Sequence, residues 1–255
     1  MDKIFVDSKG KLFQGKKAAG LIKEKNDLMF LSDDGVVSVS EMRWKEAQKY
    51  ELNFAMKKQK AHSDDRNIEH YNRFDSYNIL NELDVDNYIE MGCGPFTNSR
   101  LILNKFKSVK KVFLLDPLID SYIKHKNCTY KGDNLCGYKV NRLCSSIENI
   151  DSELKFDVIV LINVLEHCYD IPLIFNKLYD QLNKNGTIVF SEATIQKDNL
   201  EEIVSSIYDV GHSIRLSTEF VEKFLRKFEQ LYRKDFYKLY NQPWRHDVYF
   251  IGRKI

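Results

Sequence analysis

The sequence predicts an α/β protein built on a mostly parallel sheet with helices on both faces. Three observations carry that expectation. Apolar-rich runs of strand length recur at residues 88–91, 111–115, 156–162 and 187–190, and runs with little alternation mark strands covered on both sides. Helical patterns at 97–106 and 171–183 separate them, an alternation that builds parallel sheets. The first strand also turns into its helix through Gly92 and Gly94, where glycine lets the backbone bend sharply.

The elements follow in order. Ile4-Phe5-Val6 and Lys11-Leu12-Phe13 read as a hairpin closed by Ser8-Lys9-Gly10, and residues 28–31 and 36–39 as a second hairpin around Asp33-Asp34-Gly35. Gly10-x4-Gly15-Lys16-Lys17 brushes against a phosphate-loop pattern, but it lacks the final Ser/Thr and a following helix. Ser40 is placed to cap a helix that continues from Trp44 to Lys60 without Gly or Pro. These first sixty residues are expected to form a small β/helical appendage, with residues 61–255 as the main domain. A helix over 67–83 opens that domain, and its His70, Tyr71, Asn72 and Phe74 are candidates for a lid. After the strands named above come a weaker strand at 138–143, a helix at 218–227, and strands at 231–236 and 248–251 that can pair antiparallel at the sheet end.

Composition narrows the class. With 43% hydrophobic and 30% charged residues the chain is ordinary for a globular protein. A net charge of +2 leaves no strong basic footprint for nucleic acid. Neither a signal peptide nor a bilayer-length apolar run is present, so a cytoplasmic protein without membrane insertion is expected. The five cysteines (93, 128, 136, 144 and 168) contain no Cys-x-x-Cys pair; reduced thiols are expected, and no metal.

The most informative stretch is Ile89-Glu90-Met91-Gly92-Cys93-Gly94-Pro95-Phe96-Thr97-Asn98. A helix N-terminus after such a turn offers unpaired N–H groups to an anionic ligand group. Asp116 ends the next strand, where a carboxylate can accept from both hydroxyls of a ribose. A pyrophosphate beside Glu90 would be a like-charge contact, whereas S-adenosylmethionine (SAM) brings an ammonium and a sulfonium. Thr97 also stands where a dinucleotide fingerprint has its third glycine. The residues therefore favour SAM over a dinucleotide.

At these positions the chain resembles the class I SAM-dependent methyltransferase family. Glu90-x-Gly92-x-Gly94 is similar to its first motif, and Asp116 to its ribose-binding acid. Residues 156–160 with Asn163-Val164-Leu165-Glu166-His167 are similar to its fourth motif, and residues 185–189 to the loop and strand after it. The resemblance covers roughly residues 84–255 and implies a Rossmann-like sheet of seven strands. It also implies that Glu90, Gly92 and Gly94 hold the methionine end of SAM, that Asp116 binds the ribose, and that Pro117 and Leu118 lie beside the adenine. Ser146 stands where an adenine-binding acid is common, Ile147 is an apolar flank, and Asn163 lies near the sulfonium.

Methyl transfer needs alignment and, for a neutral hydroxyl, a route for its proton. His167 is the leading base candidate, while His212, Arg215, Arg245 and His246 suit an anionic acceptor. Ala47-Gln48-x-x-Glu51 and residues 115–122 resemble methyltransferases of bacterial surface-glycan pathways, which implies a small or glycan-linked acceptor: a sugar or phosphoramidate precursor of capsular polysaccharide. An RNA or protein methyltransferase and a catalytically silent SAM-binding subunit stay open. The oligomeric state is not read from the sequence.

Overall fold

The computed structural model describes residues 4–7, 11–14, 29–58, 66–206 and 210–255. The phosphate-loop-like glycines and lysines fall outside these residues. In chain order the strands are β1 (Ile4–Val6), β2 (Leu12–Gln14), β3 (Met29–Leu31), β4 (Gly35–Val36), β5 (Asp84–Met91), β6 (Ser108–Leu115), β7 (Asn134–Leu135), β8 (Tyr138–Leu143), β9 (Phe156–Ile162), β10 (Leu182–Ile195), β11 (Arg215–Leu216), β12 (Phe228–Tyr237) and β13 (Arg245–Lys254). The helices are α1 (Glu41–Lys58), α2 (Asn67–Arg73), α3 (Ser99–Ile102), α4 (Ile119–Tyr122), α5 (Ile171–Gln181), α6 (Leu200–Ser206) and α7 (Thr218–Leu225).

The main sheet runs β12-β13-β10-β9-β5-β6-β8-β7. Its pairings from β8 through β10 are parallel, and β13 and β12 close it antiparallel. The expected strands are all present; the eighth, β7, is a two-residue edge paired antiparallel with β8. From the central β5 the chain builds outward through β6 to β8, then crosses back to β9. The strand order therefore reverses between β5 and β9, and the crevice above their carboxyl ends is where open α/β sheets bind ligands.

Two-sided burial explains the apolar runs. On β9, Val158, Val160 and Ile162 pack with Tyr88, Val112 and Leu114 on one face, while Ile159 and Leu161 pack with Ile89, Met91 and Leu115 on the other. Each face is a separate core. α5 starts at an Asp170 cap that accepts from the Leu173 N–H at 3.0 Å, and α7 at a Ser217 cap that accepts from Phe220 at 3.2 Å.

Several elements differ from expectation. The helix expected over 67–83 stops at Arg73, followed by Asp75 in the left-handed region (φ 57°), and a short 3-10 turn spans Asn78–Leu80. The helix expected over 97–106 is only α3 and a 3-10 turn, since Phe106 returns to extended backbone ahead of β6. The second N-terminal hairpin is reduced to one Ser32–Gly35 bridge. β3 instead pairs with β1, and β4 pairs with β11 of the main domain. The local Asp-Asp-Gly turn forms, but its flanking strands bury better against other partners.

The N-terminal segment is stitched to the loop after β9. Val39 donates to the Tyr169 carbonyl at 2.9 Å, and Ile171 donates to Val37 at 3.0 Å. Trp44 Nε1 and Gln48 Nε2 both donate to the His167 carbonyl, at 2.9 and 3.0 Å.

Candidate active site

A cavity of about 310 Å³ opens at the carboxyl ends of β5, β6 and β9, within the size range of small-ligand sites. Its floor is the turn after β5. Gly92 has φ 74°, and a Cβ there would lie 2.4 Å from the Val164 side chain, so only glycine fits. Gly94 has φ 53° with open space beside it, and its backbone faces the cavity.

Glu90 shapes this turn from beneath and does not itself line the cavity. Its buried carboxylate accepts from the Asn98 N–H (2.8 Å), Asn98 Nδ2 (3.0 Å), the Ser99 N–H (2.8 Å), Ser99 Oγ (2.5 Å) and Thr97 Oγ1. Burial pushes its pKa up, against the pull of these donors. The role implied by the resemblance, direct contact with the methionine end, is one the geometry does not bring about. The carboxylate is spent on the N–H groups at the start of α3, leaving Gly92, Cys93, Gly94 and Asn98 at the surface of the cavity.

Asp116 does face the cavity. Its Oδ2 accepts from Gly94 N–H at 3.0 Å and its Oδ1 from Leu118 N–H at 2.8 Å. Each carboxylate oxygen keeps a further lone pair for a ligand hydroxyl. Pro117, Ser146, Ile147 and Asn163 also line the cavity. Leu118 acts through its backbone and is not in the lining. Asn163 holds a left-handed conformation (φ 56°) with its N–H on the Ser191 carbonyl at 2.8 Å. Glu148, two residues past Ser146, also reaches the cavity, yet its Oε1 is held by the N–H groups of Tyr169 (2.7 Å) and Asp170 (3.2 Å).

Burial raises the Asp116 pKa to about 6. In the role expected from the sequence, an ionised Asp116 would accept from a ribose diol, and a proton there would compete with the cofactor. The affinity for SAM is therefore expected to fall about tenfold from about pH 7 to about pH 5. Calorimetry at the two pH values checks this, and Asp116→Asn should flatten the dependence; a pH-independent affinity in the wild-type chain would count against the ribose role.

A second cavity of about 180 Å³ is lined by Arg66, Arg215, Arg245, His212, Glu166 and Glu192 among others. Arg66 borders both cavities. Between them stand His167, which lines the first, and His212, which lines the second, with ring centroids 4.6 Å apart. Glu166 Oε1 lies 3.3 Å from His212 Nε2 and 3.8 Å from His167 Nε2, and Arg215 Nη1 is 3.8 Å from Glu166 Oε2. Burial would raise the Glu166 pKa, but His212, His167 and Arg215 outweigh it and hold the carboxyl below its usual value. Burial lowers the His167 pKa to about 4. Glu192 is raised by burial and by Glu166, while its Oε2 holds the Val164 and Leu165 N–H groups at 3.1 and 2.7 Å.

The structure thus brings His167, His212, Arg215 and Arg245 to one corner, although Arg245 is held by Asp247 in two contacts of 2.6 and 2.7 Å. His246 is not brought there. Its Nε2 bonds Asp235 Oδ1 at 2.7 Å and its ring stacks on Tyr237. Adjacent residues of a strand point to opposite faces, so Arg245 and His246 cannot share one site. Gln48, Glu51, Arg66 and Glu166 had no assigned role in the sequence reading, and all four line the cavities. Of the lid candidates, His70 lines the first cavity, with Nδ1 2.8 Å from Tyr249 Oη.

A family profile described as "methyltransferase domain" matches residues 45–206. The chain belongs to the methyltransferase domain family. SAM is the cofactor that this methyltransferase site fits. Among relatives, malonyl-[acyl-carrier protein] O-methyltransferase 1 of Ilyobacter polytropus is 29% identical over 59% of this chain and 52% of its own length. Ubiquinone biosynthesis O-methyltransferase of Rickettsia bellii is 24% identical over 70% of this chain and 64% of its own. The matches thus span between about half and two thirds of these relatives. Among solved structures, N-methyltransferase NodS from Bradyrhizobium japonicum WM9, in complex with S-adenosylhomocysteine, superposes with a TM-score of 0.53 at 14% identity, covering 73% of this chain and 86% of that one. Coclaurine N-methyltransferase, bound to N-methylheliamine and S-adenosylhomocysteine, gives a TM-score of 0.56 at 12% identity, covering 84% and 88%. At such identities the superpositions establish a shared fold.

Proposed function

We propose that this methyltransferase carries a methyl group from SAM to an oxygen of a small, polar or anionic acceptor seated in the second cavity. The observation that carries the reading is the meeting of the two cavities at Arg66, His167, Glu166 and His212. Three arginines line the second cavity against the two carboxylates Glu166 and Glu192, which leaves its wall net positive. The relatives named above as O-methyltransferases support oxygen as the receiving atom.

In the transfer, the acceptor's O–C bond forms as the sulfonium S–C bond breaks, and S-adenosylhomocysteine departs. Gly94, Asp116 and Asn163 orient the donor, and Arg66 and Arg215 orient the acceptor. The cluster of His167, His212 and Glu166 faces the acceptor oxygen and eases loss of its proton.

The finer reading is a sugar or phosphoramidate precursor of bacterial capsular polysaccharide. It is supported by the Ala47-Gln48-x-x-Glu51 resemblance, since Gln48 and Glu51 both face the first cavity. No helix among the described residues is long and apolar enough to cross a membrane.

The test is conversion of SAM to S-adenosylhomocysteine in the presence of sugar phosphates, nucleotide sugars, phosphoramidate sugars, carboxylates, amines and RNA. Turnover is expected with oxygen acceptors that carry a phosphate or carboxylate. Turnover with amines or RNA alone would replace this reading by another transferase, and SAM binding without turnover by any acceptor would favour a silent binding subunit.

A further inference from the structure

The corner between the two cavities has the composition of a metal centre. Glu51, His167 and His212 present one ligand atom each, all within 4.8 Å of one another. They come from α1, the turn after β9 and the segment before β11. We propose that this corner binds one divalent transition-metal ion through His167, His212 and Glu51, with Glu166 completing the set.

The distances are those of an open site that an ion would draw together. Nitrogen and oxygen ligands about 2.1 Å from a metal stand roughly 3.0–3.4 Å apart in octahedral or tetrahedral geometry. Glu166 Oε1 lies 3.3 Å from His212 Nε2 and 3.8 Å from His167 Nε2. The ligand atoms of Glu51, His167 and His212 lie within 4.8 Å of one another, so side-chain rotations that draw these atoms together by up to about 1.5 Å close the set on one ion. Two imidazoles with carboxylates suit zinc, iron, cobalt or nickel better than magnesium.

The scaffold around the ligands is built to hold this approach. Trp44 and Gln48 grip the His167 carbonyl, fixing that residue against the helix that carries Glu51. A Cβ at Gly211 would fall 2.3 Å from Glu51 Oε1 and 3.1 Å from Tyr50 Cδ1, so the segment bearing His212 lies directly against α1. Cavity membership also fits. Glu51 and His167 line the cofactor side, and His212 and Glu166 line the acceptor side. An ion held among them borders both reactants. There it polarises an acceptor oxygen and lowers the cost of releasing its proton to solvent, with no change in the bonds made and broken by the transfer. This role rests on the transferase reading; the ion site does not.

The test uses the full chain, purified without a polyhistidine tag and stripped by chelator. Titration with Co²⁺, followed by its visible absorption, is expected to saturate at one equivalent, and Zn²⁺ to displace it. His212→Gln and Glu51→Gln are each expected to weaken Co²⁺ binding roughly tenfold or more. Circular dichroism identifies a variant that fails to fold, and the other then decides. Co²⁺ binding that is absent, or equal in the wild-type chain and the folded variants, overturns the site. SAM binding by the metal-free chain, measured by calorimetry, tests the cofactor reading separately. Co²⁺ bound at one equivalent by a chain that fails to bind SAM supports the metal site and counts against the transferase.

Discussion

Glu90→Ala is expected to lower the unfolding free energy by about 3–5 kcal/mol. For a chain of this size that is a fall in melting temperature on the order of 10 °C. The buried carboxylate gathers donors from Thr97, Asn98 and Ser99, and alanine leaves all of them without a charged acceptor. Glu90→Gln should recover only part of the loss, because an amide has one acceptor oxygen where the carboxylate has two. Thermal melts of the three chains decide the matter. A Glu90→Ala chain that melts with the wild type would show that the turn is held by something else. The cofactor affinity of this variant should fall as well, through loss of the turn's shape, since the carboxylate does not itself face the cavity.

Asp116→Ala is expected to weaken SAM binding by about a hundredfold or more, two charge-assisted hydrogen bonds contributing about 1.5–3 kcal/mol each. Here the effect is on binding in the first place: Asp116 lies at the surface of the cavity and steadies Gly94 and Leu118 through single bonds. Calorimetry at neutral pH measures it, and an affinity within a few-fold of wild type would remove Asp116 from the ribose site. The two acids thus separate cleanly, one read by melting and the other by binding.

The sheet was legible because burial on both faces leaves a local imprint. The 156–162 run is apolar at nearly every position, and so predicts a central strand without knowledge of its neighbours. The turn was legible for a similar reason, since Gly92 and Gly94 stand where the backbone takes positive φ. Glu90 was legible as important but not in its manner of acting, because a sequence shows that a carboxylate stands at the end of a strand and not which way it points. The hairpin at residues 28–39 misled because a good local turn says nothing of better partners elsewhere, here β1 and β11. Arg245 and His246 looked like one pair until strand alternation separated them. The corner of Glu51, His167 and His212 left no spacing to recognise, as its members lie on segments more than a hundred positions apart in the case of Glu51 and His167. They meet because α1 and the segment before β11 both dock on the turn after β9, through Trp44 and Gln48 on the His167 carbonyl and Ile214 on the Glu166 carbonyl.

The two side chains of α1 that grasp the His167 carbonyl have a consequence for how this enzyme can be re-engineered or diversify. Trp44, Gln48 and Glu51 of α1 form one wall of the first cavity, so exchanging this helix between relatives would reshape the cofactor side of the site. Changes in the shape of that cavity can therefore arise about forty residues ahead of the glycine turn, with Glu90, Gly92, Gly94 and Asp116 left untouched.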